Sequence, residues 1–119
     1  MSEEIESKYD EEIRTYTVFF PEHVTFENLS NWKIKFQEKL DTRLRPRSEA
    51  LLLNSNIHDF ESIECLKYLR EALTHFANLE NGIHKIAFVQ PAQYREPEII
   101  SKNEAYFVNT EEAKLWLRG

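Results

Sequence analysis

The stretch that decides the fold runs from Gly82 to Gly119 and reads GIHKIAFVQPAQYREPEIISKNEAYFVNTEEAKLWLRG. Residues 86–89 are apolar without alternation, which is typical of a strand covered on both faces. Residues 106–108 predict a second, shorter strand, and we expect Thr110 to cap a terminal helix with an acidic start and an apolar face. This order of strand, loop, strand and helix is typical of the last strands and the final helix of an α/β domain.

Upstream of Gly82 the sequence predicts a βαβ unit. Residues 50–53 (ALLL) predict a central strand, and we expect Asp59 to cap the helix that follows. That helix should end at Asn81-Gly82, where glycine adopts a left-handed cap easily. A strand, a helix of about 20 residues and a strand usually give two parallel neighbours. The apolar stripe predicted to be buried on this helix consists of Ile63, Leu66, Leu69, Leu73 and Phe76.

The first half of the chain predicts one strand and one helix. Residues 13–20 favour a strand, with residues 5–9 as a weaker hairpin partner. Thr25 is the expected N-cap of the first helix. In the second half of the chain, residues 91–103 are predicted to form a loop or a partial helix. The apolar face expected for the first helix consists of Phe26, Leu29, Trp32, Phe36 and Leu40.

Composition and charge narrow the class of protein. The chain has 119 residues, enough for one domain, and its 41% hydrophobic content suits a globular core. Six acidic side chains and one lysine fall within residues 1–12, so the net charge of −6 leaves about −1 for the remainder. A near-neutral body argues against binding nucleic acid. The lone Cys65 and the absence of a membrane-length apolar stretch favour a soluble, cytoplasmic protein.

Three short motifs are residues 24–27 (VTFE), residues 85–89 (KIAFV), and Phe107 followed by residues 112–117 (EAKLWL). They resemble motifs of the STAS-like (SpoIIAA-like) family, relatives of the sporulation anti-sigma-factor antagonist. The resemblance implies a layered α/β domain over residues 13–119, with a mixed, partly parallel sheet and packed helices. It also implies a non-catalytic role in binding a protein partner or, in lipid-transfer-like members, an apolar ligand. Residues 1–12 are then an acidic segment that contributes a hairpin strand at most.

The resemblance also implies a place for a regulatory serine. Phosphorylated members of the family carry an Asp-Ser-Ser-Gly-type turn at the start of the helix after a central strand. Here residues 59–64 read DFESIE, so Ser62 is the nearest hydroxyl and Glu64 stands where the glycine would be. A phosphate on Ser62 would gain from the helix dipole and lose to Glu61 and Glu64, which favours a capping role instead.

The loop before this helix is the main candidate for function even without the family. It leaves the carboxyl end of a predicted parallel strand, where open α/β sheets bind ligands. The alternative is that its polar groups only make turn and cap hydrogen bonds. The candidate interaction and phosphate-switch residues are Asn54, Ser55, Asn56, His58, Asp59 and Ser62.

Other chemistries receive little support. His58, Glu61, Glu64 and Cys65 have metal-like spacing, but Cys65 adjoins the apolar stripe and the ligand set is incomplete. No nucleophile turn or glycine-rich phosphate loop is present, so the sequence gives no catalytic residue and no cofactor. A hydrolase would need a nucleophile and base paired in a cleft.

Some basic and aromatic residues also have two interpretations. Arg43, Arg45 and Arg47 either meet an anionic group or offset the charge at a helix end, and the second is commoner. Trp32 and Trp116 either stack against a ligand or pack in the core, and their positions on apolar helical faces favour the core.

We therefore predict a cytoplasmic interaction or regulatory module with an unidentified protein partner. The alternative is a carrier of a small apolar or lipid-like ligand held between helices and sheet. A free sheet edge makes a homodimer compatible with either function.

Overall fold

A computed structural model describes residues 4–44, 47–54, 59–90 and 97–118. Within these residues the chain forms eight strands and three helices. In chain order they are β1 (Glu6–Asp10), β2 (Thr15–Phe19), β3 (His23–Val24), α1 (Phe26–Asp41), β4 (Glu49–Asn54), β5 (Asp59–Phe60), α2 (Ile63–Asn78), β6 (Ile83–Val89), β7 (Glu98–Ile99), β8 (Glu104–Phe107) and α3 (Thr110–Arg118).

Six of these strands form one mixed sheet in the order β1-β2-β4-β6-β8-β7. Strands β2, β4, β6 and β8 run parallel, while β1 and β7 pair antiparallel at the two edges. The predicted βαβ unit is confirmed, because β4 and β6 are parallel neighbours on either side of α2 in sequence. The expected α/β class with a mixed, partly parallel sheet is therefore correct.

Helices cover both faces of this sheet. Leu51 and Leu53 of β4 pack in a large cluster with α1 and α2, whereas Leu52 packs in a smaller cluster with α3. Successive side chains of a strand point to opposite faces, so a strand between two layers has to be apolar throughout. The four residues Ala50 to Leu53 are accordingly all buried.

Helix α1 begins as predicted, at a cap formed by Thr25. The Thr25 hydroxyl accepts a hydrogen bond from the Asn28 N–H at 3.1 Å, and the Asn28 side chain accepts one from the Thr25 N–H at 3.0 Å. Trp32 and Phe36 are buried and stack with ring centroids 5.4 Å apart. Phe26 departs from the predicted buried face: it is 48% exposed, and its ring lies 4.7 Å from that of Tyr68 between centroids.

Helix α2 begins later than predicted, because Asp59 is not its cap. Asp59 lies in β5, which pairs in parallel with β3 as a separate two-stranded sheet. The N-cap position belongs to Ser62, whose side chain makes no capping hydrogen bond. Since the backbone of Asp59 is committed to strand pairing, the helix cannot start there.

The buried face of α2 also differs from the expected stripe at its start. Ile63 is 67% exposed and Leu66 is 47% exposed, so the prediction of burial was wrong for both. A step of three residues turns an α-helix by about 300°, which moves these two positions off the face that holds the later members of the stripe. The buried residues are Cys65, Leu69, Ala72, Leu73 and Phe76.

The left-handed residue after α2 is Asn81, with φ 56°, and not Gly82 as expected. The structure gives Gly82 a different reason. A Cβ at this position would collide with the backbone oxygen of Phe76, so only glycine allows the chain to pass so close to the end of α2.

The last part of the chain corrects two smaller predictions. Asn109, and not Thr110, caps α3, since its side-chain oxygen accepts the Glu112 N–H at 2.8 Å. The predicted loop of residues 91–103 contains β7, while residues 91–96 lie outside the described residues. Among the described helices, none has the length and apolar character needed to cross a bilayer.

Candidate functional site

A cavity lies between α2 and the carboxyl ends of the parallel strands. Its volume is about 240 Å³. Among the described residues that line it, seven have aliphatic or phenyl side chains and three have side chains that can form hydrogen bonds. The lining residues are Phe20, Leu53, Phe60, Leu66, Leu69, Leu73 and Phe88, with Arg70, Gln90 and Tyr106.

The topology explains why the cavity forms here. Leu53 and Phe88 lie near the carboxyl ends of β4 and β6 and are partners in register. Leu69 and Leu73, one helical turn apart on α2, lie over them and are 9% and 3% exposed. Phe60, in the short strand β5, contacts Phe20 with 6.4 Å between ring centroids. The separate β3–β5 pair therefore places an aromatic wall at this end of the sheet.

The polar side of the cavity is centred on Arg70. Its guanidinium lies 5.9 Å from the ring centroid of Phe88, and its Nη1 donates to Glu104 Oε1 at 3.2 Å. The Tyr106 ring stacks on Phe88 with 4.7 Å between centroids. Burial lowers the pKa of Arg70. The hydrogen bond with Tyr106 and the negative charge of Glu104 raise it by more, so the pKa of Arg70 lies above its ordinary value. Arg70 thus brings a permanent charge to a largely apolar wall.

This arrangement suits a small apolar molecule with one hydrogen-bond acceptor. An apolar cavity of about 150 Å³ in another protein accepts benzene, so the space here is sufficient for a substituted aromatic ring or a short aliphatic chain. Binding pockets of this type have mostly apolar walls and a few polar groups that fix orientation.

Three of the sequence-predicted candidates lie within the described residues, namely Asn54, Asp59 and Ser62, and none of the three is among the described lining residues. Asn54 ends β4 directly after Leu53, and Asp59 precedes Phe60. The Asp59 carboxylate is 81% exposed and lies 3.3 Å from Nδ1 of His23, a surface pair worth little stability. Ser55, Asn56 and His58 lie outside the described residues.

Ser62 is exposed beside the start of α2, with its Oγ 3.7 Å from Cys65 Sγ. The carboxylate of Glu61 is engaged elsewhere, since it accepts the backbone N–H of Phe26 at 3.0 Å. Cys65 is fully buried as a small apolar side chain, as expected from the sequence. The described residues contain no group of three or more potential metal ligands.

Sequence reasoning missed most residues of the cavity. Phe20 and Gln90 directly follow β2 and β6, so the rule that ligands gather at carboxyl strand ends could have found them. Arg70 carried no such signal, because a single arginine on a helix usually indicates a solvated face.

Comparison with known proteins gives no assignment: no protein-family model, curated protein or solved structure matches this chain.

Proposed function

We propose that this protein binds a small, largely apolar molecule in the cavity between α2 and the sheet. The single observation that carries the proposal is an apolar cavity of about 240 Å³ at the carboxyl ends of the parallel strands. Leu53, Leu69 and Leu73 form a buried floor, whereas Leu66 and the Arg70 side chain are exposed, so the cavity is open to solvent and a ligand can enter it directly.

Arg70 defines the ligand class further. A carbonyl, ether or carboxyl oxygen near the guanidinium would accept a charge-assisted hydrogen bond, while the remainder of the ligand contacts leucine and phenylalanine side chains. The STAS-like resemblance of the sequence agrees with this function, since it implies a non-catalytic module and includes apolar-ligand carriers. We also propose that this chain belongs to the STAS-like family, and this proposal rests on the three sequence motifs.

The test uses acetophenone, an aromatic ring with one carbonyl acceptor. We expect saturable shifts of backbone amide signals around the cavity in ¹H–¹⁵N spectra. Leu73→Phe fills the cavity and should weaken binding at least tenfold, whereas Leu115→Phe, on the exposed face of α3, should leave it unchanged. Shifts that do not saturate, or that are equal in both variants, would contradict the proposal.

A second candidate function is binding of a protein partner at the start of α2. Ile63, 67% exposed, lies next to Ser62 and near Asp59, and Leu66 is also exposed. Native mass spectrometry of the protein isolated gently from its host distinguishes the two functions. A retained subunit lost in Ile63→Ser favours the interaction module, and a retained small molecule lost in Leu73→Phe favours the carrier.

A further inference from the structure

A second cleft, which is more polar than the first cavity, lies at the opposite end of the sheet, at the amino ends of β2 and β4. It is bounded by the end of β1, the carboxyl end of α1 and the first residue of β4. Its volume is about 660 Å³. The lining residues are Tyr9, Glu11, Tyr16, Lys39, Thr42, Arg43, Leu44, Arg47 and Glu49. It is separate from the cavity of the proposed function and does not depend on it.

The floor of this cleft holds a buried carboxylate that is already fully engaged. The Glu49 side chain is only 3% exposed. Its Oε1 accepts from Arg47 Nε at 3.0 Å and lies 4.0 Å from Arg43 Nη1, and its Oε2 accepts from the Tyr9 hydroxyl at 3.0 Å. Two guanidinium groups therefore offset one buried negative charge, and the Tyr9 phenol adds a hydrogen bond to it.

The two arginines differ in the donors that remain. Arg43 uses all three nitrogens on backbone carbonyls, those of Leu40, Arg47 and Asn81, and so serves the structure. Arg47 uses Nε on Glu49 and Nη2 on the Tyr9 hydroxyl. In the part of the chain that the structure describes, Arg47 Nη1 has no hydrogen-bond partner.

Tyr16 supplies the decisive observation. The residue is 6% exposed and lines the cleft, with its ring 4.7 Å from Tyr9 and 5.0 Å from Phe36 between centroids. Its hydroxyl has no hydrogen-bond partner among residues 4–44, 47–54, 59–90 and 97–118. Burial raises the pKa of Tyr16, so the phenol keeps its proton and remains a donor at neutral pH. Buried polar groups in proteins are almost always satisfied, so this one calls for a partner.

The charges of the cleft indicate the chemistry of that partner. Among the lining residues that the structure describes, Lys39, Arg43 and Arg47 carry three positive charges against the two negative charges of Glu11 and Glu49. Lys39 is exposed and its ammonium donates to the Ser7 carbonyl at 3.0 Å, which holds it at the rim. These residues have one net positive charge, and the Tyr16 hydroxyl and Arg47 Nη1 are two unused donors beside it. This combination favours a ligand with one anionic oxygen group.

We propose that this cleft binds a small molecule through a phosphate or carboxylate group. The oxyanion accepts hydrogen bonds from the Tyr16 hydroxyl and Arg47 Nη1, and the ammonium of Lys39 adds charge at the rim. Glu49 orients Arg47 toward the oxyanion by holding its Nε, and the exposed Tyr9 ring forms one wall.

Inorganic phosphate and acetate are the two probes, each added at constant ionic strength in Tris-chloride buffer. Amide signals of β1, of the end of α1 and of the start of β4 should shift to saturation with at least one of them. The tighter probe identifies the oxyanion as phosphate or carboxylate. Tyr16→Phe should weaken this binding at least fivefold, because it deletes a donor to a charged acceptor and leaves every described hydrogen bond intact.

Tyr68→Phe, on α2, is the matched control and should leave the dissociation constant unchanged. Lys39→Gln should weaken binding by a smaller factor than Tyr16→Phe, because its charge lies at the solvated rim. The proposal is wrong if neither probe saturates, or if Tyr16→Phe binds as tightly as the unaltered protein. It is also wrong if the three variants weaken binding equally, since that would indicate an indirect effect of substitution.

Discussion

Deleting the hydroxyl of Tyr9 should destabilise the protein, whereas deleting that of Tyr16 should leave its stability unchanged or raise it. Tyr9→Phe removes a donor to the buried Glu49 carboxylate and an acceptor from Arg47. Hydrogen bonds to charged groups contribute about 1.5 to 3 kcal/mol each, but Tyr9 is 40% exposed and water replaces part of the loss. We therefore expect a destabilisation of about 1 to 2 kcal/mol for Tyr9→Phe.

Tyr16→Phe removes no hydrogen bond within the described residues and relieves the desolvation of a buried hydroxyl. Its expected effect lies between zero and about 1 kcal/mol of stabilisation. In a domain of this size about 1 kcal/mol moves the thermal midpoint by roughly 4 °C, so the two variants should differ by several degrees. Urea unfolding followed by far-UV circular dichroism in Tris-chloride buffer gives both free energies. A Tyr16→Phe variant as unstable as Tyr9→Phe would refute the assignment of an unpartnered hydroxyl.

Three further outcomes test the fold. Gly82→Ala should lower the free energy of unfolding, measured in urea, by about 1 to 3 kcal/mol, because the alanine Cβ would collide with the backbone oxygen of Phe76. Trp32→Ala, at a residue only 3% exposed, should lower the free energy of unfolding by about 3 to 5 kcal/mol, and Trp116→Ala, at a half-buried position of α3, should lower it by less. Equal losses in thermal unfolding would contradict the burial pattern. Burial raises the pKa of Tyr9, so the folded protein holds that phenolic proton more tightly than the unfolded chain, and stability should fall above about pH 10. Urea titrations across that range should show a shallower fall for Tyr9→Phe.

The strands and helices that face the core were predictable from sequence. The apolar run ending at Leu53 has no alternation, and that pattern arises only where both faces of a strand are covered. The Thr25 cap was predictable for a similar reason, since its partner Asn28 is three residues away. Local patterns succeed where the forces that decide a structure are themselves local.

The start of α2 and the candidate sites were much less predictable. Asp59 is a good helix cap in isolation, but its backbone pairs with β3, 36 residues earlier in the chain. The contacts of Arg70 with Phe88 and of Glu49 with Tyr9 likewise join segments that are distant in sequence. Single-sequence patterns carry no record of such pairings, so both cavities emerged only from the folded arrangement.

The small β3–β5 sheet joins the segment that leads into α1 to the segment that leads into α2. The Asp59 N–H bonds to the Glu22 carbonyl, the Glu61 N–H bonds to the Val24 carbonyl, and the Glu61 carboxylate accepts the N–H of Phe26. Fraying the first turn of α1 therefore breaks bonds that belong to the approach to α2, and the reverse also holds. We therefore expect the two helix starts to open together, so a substitution that loosens Phe60 at the cavity wall should also increase hydrogen exchange at the beginning of α1.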